Sequence, residues 1–415
     1  MTDVVVTGVG ILSPSGRGLE DAWAGALSGR TAAAVDDRLV AMGTPVTLSC
    51  RVPDFDPDAE LGRGAARRLD RFTHLAVIAA REAIVHAGLS EDEQELITRV
   101  DADRTGVLLG SGIGGAETWA EEYPRYLDKG PGRVSPLFVP KMLSNTAAGT
   151  VAIRSGARGP NMTVNTACAA GASAIHLGRD LLRAGAADVV LAGGVEAGIT
   201  GLSVSAFAQM GALTRNPDPR TASRPFDVAR DGFVIGEGAA VLVLETAEHA
   251  AARGVPALAV VAGAGASADA HHATAPPDDG GGARLAMQRA LADAALDPTA
   301  IGHLNAHGTS TPLNDAAEAR ALRAVFGDHT DRIAVSSTKG VTGHTLGAAG
   351  AIEAIFAILA LRRSLVPPTA NLAEQDPDIT LDVVAGQPRE VPLEAVLSTS
   401  MGFGGQNAAL IFTPA

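Results

Sequence analysis

The chain has 415 residues, more than one hydrophobic core supports, because single cores stop growing at about 250–300 residues. Apolar residues make up 46% and charged residues 19%, a composition that excludes a disordered chain. The formal net charge of −13, with no run rich in lysine or arginine, excludes a nucleic-acid-binding protein.

The N-terminal residues predict a strand rather than a targeting segment. Residues 4–6 are all valine and follow a start without a basic region or a cleavage signal. No apolar run is long enough to span a bilayer. Only two cysteines occur, Cys50 and Cys168, which disfavours both a disulfide framework and a cysteine-rich metal site. We expect a soluble, cytoplasmic protein with no membrane partner.

Short apolar, β-branched runs that end in glycine recur along the chain and are followed by alanine- and leucine-rich helical stretches. This alternation predicts an α/β protein with buried, largely parallel sheets. The runs lie at residues 4–8, 106–110, 188–194 and 239–245.

A helix–loop–strand order occurs twice, which predicts two halves of like construction. The helix at residues 81–89 precedes a strand at 105–110, and the helix at 286–295 precedes a strand at 301–306. The segment 275–282 (APPDDGGG) is predicted to be a surface loop.

We place the boundary between the halves at Ala252 and Arg253, so that the N-terminal half is residues 1–252 and the C-terminal half is residues 253–415. No low-complexity linker separates them. Two halves without a flexible tether form one body, and a ligand site is expected between them.

Cys168 is the candidate nucleophile. It follows an apolar stretch and opens a helix that is predicted to end near Gly185. Free amides and the helix dipole stabilise a thiolate at such a position, so we predict a lowered thiol pKa. The alternative is a small buried hydrophobic residue, the commoner fate of a free cysteine. Cys50 lacks this context and is interpreted as structural or incidental.

His307 and His344 are candidate partners of the thiol. His307 lies in NAHGTSTP, after an apolar strand and before three hydroxyl residues, and His344 closes SSTKGVTGH, which contains Lys339, one of three lysines. Neither has metal-ligand spacing. Each alone is compatible with an ordinary loop histidine, but two imidazoles aimed at one carbonyl can stabilise an enolate. The glycine-rich segment 400–407 is either a ligand-facing turn or an ordinary one.

Taken together, these residues resemble the elongating β-ketoacyl-acyl-carrier-protein synthases. Cys168, His307, His344, Lys339 and the loop at 402–407 occur in the order and contexts of that family, and the similarity runs nearly end to end. Two further segments are similar: residues 224–227 (RPFD) and 230–238 (RDGFVIGEG). The resemblance implies the thiolase fold, with duplicated halves in a five-layered αβαβα architecture, usually as a dimer.

The resemblance also implies a decarboxylative condensation. Cys168 would attack an acyl thioester delivered by acyl carrier protein, with the backbone amides of Cys168 and Phe403 as the oxyanion hole. His307 and His344 would bind the malonyl thioester and stabilise the enolate that forms as carbon dioxide leaves. The chemistry needs no metal and no freely diffusing cofactor.

Further roles follow only from the resemblance. Lys339 and Glu353 would form an ion pair that orders the histidine loop. Thr309 and Thr311 would hold the phosphopantetheine arm. Ile113, Phe207 and Phe403 would line the acyl pocket, with Phe403 as its gate. Arg67 and Arg68 would dock the carrier protein. Three positions depart from the usual pattern, and they leave the carrier and the chain length open: Ala169, Gly211 and Gln406.

The pathway has two readings, fatty-acid elongation and type II polyketide synthesis. In the second, the chain would be the catalytic ketosynthase subunit, because it retains Cys168, and would pair with a chain-length-factor-like subunit instead of forming a homodimer. A thiolase is disfavoured because no cysteine follows Cys168. A non-catalytic acyl-binding protein would never be acylated at Cys168.

Overall fold

The computed structural model describes residues 2–91 and 96–415, and these form a mixed α/β fold, as predicted. The strands of this described part are β1 (Val4–Ser13), β2 (Gly16–Arg17), β3 (Ala34–Val35), β4 (Leu48–Cys50), β5 (Thr105–Gly110), β6 (Asn161–Val164), β7 (Val189–Glu196), β8 (Ile235–Gly236), β9 (Gly238–Thr246), β10 (Ala259–Ala268), β11 (Ile301–Asn305), β12 (Ala334–Ser336), β13 (Leu365–Val366), β14 (Arg389–Glu390), β15 (Ala395–Gly402) and β16 (Gln406–Thr413). Its α-helices are α1 (Leu19–Leu27), α2 (Asp37–Ala41), α3 (Pro57–Leu61), α4 (Arg63–Ala66), α5 (Arg71–His86), α6 (Ala116–Lys129), α7 (Phe138–Met142), α8 (Thr146–Ser155), α9 (Ala170–Arg183), α10 (Gly201–Gln209), α11 (Ala247–Arg253), α12 (Gly281–Ala294), α13 (Pro312–Phe326), α14 (Lys339–Thr342) and α15 (Ala349–Arg363).

The main sheet shows the duplication directly. Its strands run in the order β12-β11-β15-β16-β10-β1-β9-β7-β5-β6, with β2 beside β1. Outward from the seam between β1 and β10, each half presents its first, fifth, fourth, second and third main strand. Strand directions repeat as well, since β5 is parallel to β6 and β7 just as β11 is parallel to β12 and β15. The predicted duplication is therefore confirmed.

The prediction of largely parallel sheets is wrong for the strands nearest the seam. There β9 runs antiparallel to β1 and β7, and β16 runs antiparallel to β10 and β15. The short turn from β15 to β16 permits only an antiparallel pair, because a parallel pair needs a long crossover.

Helices form three layers around the two half-sheets. α5 and α8 pack on the first half, α12 packs on the second, and α9 and α15 pack together between them. Residues 349–361 of α15 are all buried, as expected for a helix that is apolar on every side. Thus the five-layered arrangement is confirmed.

The boundary predicted at Ala252 and Arg253 lies at the end of α11, the helix between β9 and β10, and stays a prediction. The loop predicted at residues 275–282 ends at Gly280, because α12 begins at Gly281. None of the described helices is both long and apolar enough to cross a membrane.

Candidate functional site

Cys168 lies where the edge of the first half-sheet leads into the central layer. β6 ends at Val164, and a single 3-10 turn, Ala167–Ala169, carries the cysteine to the start of α9. Ala167 has a φ of 48°, a left-handed conformation that is unfavourable for a residue with a Cβ atom. Residues strained in this way are concentrated at functional sites.

One cavity of about 350 Å³ contains contributions from both halves of the chain. It has these predicted site residues in its lining: Cys168, Phe207, His307, Thr309, Thr311, His344 and Phe403. The hydroxyl oxygens of Thr309 and Thr311 lie 2.9 Å apart, so they can bind one polar group together. The sulfur and the two imidazoles therefore face one space, as the proposed chemistry requires.

The thiol of Cys168 is nearly closed off from solvent, since the residue is only 7% exposed. Burial raises the pKa of this thiol to about 12, although the Lys339 ammonium and the amides of Phe403 and Cys168 act to lower it. The lowered pKa predicted from the helix N-terminus is therefore wrong, because loss of hydration outweighs the nearby charge and amides. Cys168 is a neutral thiol at rest.

The turn between β15 and β16 carries the Phe403 amide to the sulfur. Both this amide and that of Cys168 donate toward the sulfur. A Cβ atom on Gly402 would lie 2.5 Å from the Thr166 carbonyl oxygen and 3.3 Å from the Cys168 nitrogen. Only glycine permits so close an approach, which brings the Phe403 amide to the sulfur. The predicted oxyanion hole stays a prediction.

His307 and His344 meet edge to face, with ring centroids 5.3 Å apart and planes at 85°. Burial lowers the pKa of both imidazoles well below its usual value, and the Lys339 charge acts in the same direction. Both rings are therefore neutral at pH 7. In each ring, Nδ1 is buried and has no hydrogen-bond partner among the described residues. Nε2 of either ring is not among these buried, unpartnered atoms. Nε2 is thus the nitrogen available to a ligand in the cavity.

The backbone of His344 is fixed by a bridge to the neighbouring strand. Its amide donates to the carbonyl of Val234 and its carbonyl accepts from the amide of Gly236, each at 2.8 Å. The ring packs edge to face on Phe233 at 5.1 Å. Cys50 is buried behind this loop, where a Cβ atom on Gly343 would lie 2.7 Å from its sulfur. This packing agrees with a structural role for Cys50.

Glu318, which the sequence analysis missed, holds the His307 loop. Its buried carboxylate accepts hydrogen bonds from the amides of His307 and Gly308, each at 2.8 Å, and from the Thr399 hydroxyl at 2.7 Å. No sequence signal marks this residue, because its surroundings in α13 look like an ordinary helix.

Lys339 and Glu353 form a buried ion pair between α14 and α15, with 1% and 2% of their side chains exposed. Burial raises the pKa of Glu353 to about 7, while the Lys339 charge acts to lower it. The Lys339 ammonium also lowers the pKa of Cys168, His307 and His344. The Lys339 charge therefore acts on all three predicted catalytic groups.

Besides Lys339 and Glu353, three predicted residues are not part of the cavity lining. Ile113 is 42% exposed, and its amide donates to Glu196 at 3.2 Å. Arg67 and Arg68 follow α4 on the exposed surface. The roles of these three in the acyl pocket and in carrier docking stay predictions. The described residues contain no cluster of histidine, cysteine and acidic side chains able to hold a metal ion.

The chain is similar to known proteins over its full length. Residues 1–250 match the family "Beta-ketoacyl synthase, N-terminal domain", and residues 258–373 match "Beta-ketoacyl synthase, C-terminal domain". A 3-oxoacyl-[acyl-carrier-protein] synthase 2 from Synechocystis sp. is 46% identical over 410 residues, covering 99% of this chain and 97% of that protein.

Two solved structures share the fold. One is a type II polyketide synthase acyl-carrier protein in complex with its ketosynthase bound to the hexaketide, with a TM-score of 0.91, 31% identity, and coverage of 100% of this chain and 99% of that one. The other is the ishigamide ketosynthase/chain length factor, with a TM-score of 0.91, 35% identity and the same coverage.

Proposed function

This chain belongs to the β-ketoacyl synthase family, and on that premise we propose that its cavity extends an acyl thioester on Cys168 with a malonyl thioester. The chain is an acyltransferase of the β-ketoacyl-acyl-carrier-protein synthase class. The observation that carries the proposed mechanism is the one cavity shared by Cys168, His307 and His344. A thiolase is disfavoured because no cysteine follows Cys168, and a purely binding role accounts less well for a thiol that shares its cavity with two imidazoles.

The first step is acyl transfer to Cys168. The sulfur attacks the carbonyl carbon of the incoming thioester, and the negative charge that develops on the carbonyl oxygen is stabilised by the amides of Cys168 and Phe403. The intermediate collapses as the carrier thiolate leaves, and that thiolate takes up the proton that Cys168 gives up. Proton transfer accompanies attack because Cys168 is a neutral thiol at rest.

The second step is decarboxylation of the malonyl thioester, whose arm would lie along Thr309 and Thr311. Neutral His307 and His344 each donate an Nε2–H bond to its carbonyl oxygen. When the carbon–carbon bond to carbon dioxide breaks, its electron pair forms an enolate, and the two donors stabilise the charge on the enolate oxygen. The enolate carbon attacks the acyl-cysteine, the carbon–sulfur bond breaks, and the Cys168 thiolate takes up a proton from solvent.

We expect the thioesters to arrive on acyl carrier protein and the chain to work as a homodimer or with a chain-length-factor-like subunit. In one structural neighbour the ketosynthase is in complex with its acyl-carrier protein, and another is a ketosynthase/chain length factor. The chain also exposes apolar side chains on α6 and on the edge strand β6, as an interface would. These are Trp119, Tyr123, Tyr126, Leu127 and Met162. A reduced thiol agrees with a cytoplasmic location.

Fatty-acid elongation is the pathway best supported for this chain. Curated relatives named 3-oxoacyl-[acyl-carrier-protein] synthase 2 are 43–46% identical to it. The polyketide ketosynthases among the solved structures are 31–35% identical. Their TM-scores of 0.91 keep polyketide extension as the second candidate, since the same fold and cavity serve both.

Intact-mass analysis of the chain and its carrier after incubation with acyl- and malonyl-carrier proteins tests the proposal. Cys168→Ala should abolish condensation and leave malonyl decarboxylation, whereas Cys50→Ala should behave as wild type. His307→Ala or His344→Ala should impair decarboxylation more than acylation of Cys168. Normal elongation by Cys168→Ala would refute the assignment. The number of carbons added to the carrier-bound product distinguishes one fatty-acid cycle from repeated polyketide extension.

A further inference from the structure

The two central helices are related by the duplication. A Cβ atom on Gly171 of α9 would lie 2.8 Å from the Ala351 nitrogen, and one on Gly350 of α15 would lie 2.9 Å from the Ala172 nitrogen. These reciprocal contacts make Gly171 equivalent to Gly350, an offset of 179 residues. The strained turns before the helices agree, since the residues equivalent by this offset have φ angles of 48° and 49° (Ala167 and Leu346).

The outer helices and the seam strands are related in the same way. A Cβ atom on Gly8 of β1 would lie 2.6 Å from the Ala83 carbonyl oxygen of α5. One on Gly263 of β10 would lie 2.3 Å from the Ala290 carbonyl oxygen of α12. α5 therefore corresponds to α12 with an offset of 207 residues, and β1 corresponds to β10 with an offset of 255.

With the offset of 207 residues between α5 and α12, His86 in the first half is the equivalent of Asp293 in the second. The equivalence extends to their contacts. The amide of Val9 donates to His86 Nδ1 at 3.3 Å, and the equivalent amide of Ala264 donates to the Asp293 carboxylate at 2.9 Å.

In the second half, the space beside Asp293 is filled by an arginine from α9. Arg179 is 1% exposed and donates to the carbonyl oxygens of Val261 and Ala262, each at 2.8 Å. It also pairs with Asp293 at 2.6 Å, and Arg183 pairs with the same carboxylate at 3.0 Å. The Arg179 side chain thus fills this space and provides hydrogen-bond donors to the main-chain carbonyls around it.

In the first half, the equivalent space is open. The offset of 179 puts Ile358 in place of Arg179, and apolar Ile355 and Leu359 in place of His176 and Asp180. A cavity of about 360 Å³ lies there, and its lining includes these three apolar residues together with Val9, His86 and Arg362. Arg362 is the equivalent of Arg183. We call this space the α15 cavity.

The groups around the α15 cavity point to an anionic ligand with an apolar tail. Ile355, Ile358 and Leu359 are at most 5% exposed and form an apolar wall. At the mouth Arg363 pairs with Glu20 at 2.5 Å, whereas Arg362 makes no ion pair within the described ranges. A free guanidinium matches a carboxylate with two parallel hydrogen bonds.

We propose that the α15 cavity binds a medium-chain fatty acid, with its carboxylate on Arg362 and its alkyl chain along Ile355 and Ile358. The volume is at the lower end of the range for small-molecule sites, about 300–1,000 Å³, which limits the tail to a medium length. The cavity is separate from the one that contains Cys168, so this site goes beyond the condensation reaction.

The test uses the full chain with Cys168 alkylated, so that the catalytic cavity is blocked. Decanoate is titrated by calorimetry, and a decanoate analogue with a photoreactive diazirine near its tail is crosslinked and mapped by peptide mass spectrometry. We expect binding and crosslinks in the segment 355–363 or at His86. Arg362→Gln should weaken binding about tenfold, the effect of losing a charge-assisted hydrogen bond. Ile358→Phe should remove the crosslinks by filling the space.

The matched control is Arg332→Gln, which changes an exposed arginine outside the cavity lining and should leave binding unchanged. Decanol, with the same tail and no carboxylate, should bind at least about tenfold more weakly. Absence of decanoate binding, crosslinks confined to the Cys168 cavity, or equal binding of decanol would overturn the proposal. Arg362 is exposed, so its variant tests the site even if Ile358→Phe fails to fold.

Discussion

Replacing Gly402 with alanine tests the oxyanion hole with the smallest possible side chain. The new Cβ atom would lie 2.5 Å from the Thr166 carbonyl oxygen, whereas ordinary contact begins at 3.4 Å, so the turn must retreat by about 0.9 Å. That retreat carries the Phe403 amide away from the sulfur, because Gly402 and Phe403 are adjacent. A hydrogen bond near 2.9 Å does not survive a displacement of about 0.9 Å. Loss of one oxyanion donor costs about 100- to 1,000-fold in kcat.

The assay separates the two half-reactions. Acylation of Cys168 is followed by intact mass in single turnovers, and malonyl decarboxylation is followed by release of carbon dioxide. Gly402→Ala should slow acylation about 100- to 1,000-fold, and decarboxylation much less, because His307 and His344 serve that step.

The control for this test is Gly149→Ala. Gly149 lies in α8, and a Cβ atom added to it would have no atom within 4 Å apart from its chain neighbours and the backbone of its own helix, so alanine should fit there and stabilise the helix by roughly 0.5–1 kcal/mol. Acylation by Gly402→Ala within about threefold of wild type, at unchanged thermal stability, would refute the role of the Phe403 amide.

Three further predictions concern the groups around the nucleophile and the central helices. Because burial raises the pKa of Cys168 to about 12, alkylation by iodoacetamide should rise about tenfold per pH unit up to pH 10. Lys339→Met should raise that pKa further and slow alkylation at pH 8; a rate plateau below pH 9 would contradict a neutral buried thiol. Glu318→Gln replaces one carboxylate oxygen by an NH2 donor, which then faces the main-chain amide of His307 or Gly308, so decarboxylation should fall about 10- to 100-fold while acylation persists; equal losses would indicate general disruption. Arg179→Met should lower the free energy of unfolding in urea by about 3 kcal/mol, because it removes a buried ion pair with Asp293, which keeps only Arg183, and the donor to two carbonyl oxygens; a change under about 1 kcal/mol would argue against a stabilising role for Arg179.

Features of the fold that depend on local pattern can be predicted from this sequence. The run predicted at residues 106–110 is β5, Thr105–Gly110, and the one at 301–306 is β11, Ile301–Asn305. Both are short, apolar and bounded by turn signals, which is enough to identify a buried strand. The relative direction of neighbouring strands cannot be predicted in this way, because an apolar run such as β9 contains no information about which neighbour it will pair with.

The candidate site can likewise be predicted from the sequence only where its signal is local. Cys168 and His307 stand out because each lies at a glycine-rich junction where a strand gives way to a loop or helix. The pKa of Cys168 was predicted with the wrong sign, since a helix N-terminus is a local feature whereas burial depends on the whole fold. Glu318 and Arg179 escaped notice because each is a charged residue on a helix, and nothing nearby in sequence reveals that it is buried.

The position of α9 between the two half-sheets has a consequence for how the protein is made. Residues 168 and 403 are 235 positions apart, and contacts between such distant segments form late in folding because a long loop must close first. A nascent N-terminal half would therefore present a cysteine without its amide partner and without its imidazoles. The site becomes active only when the C-terminal half has packed against the N-terminal half, so thioester turnover is a measure of completed folding of the chain.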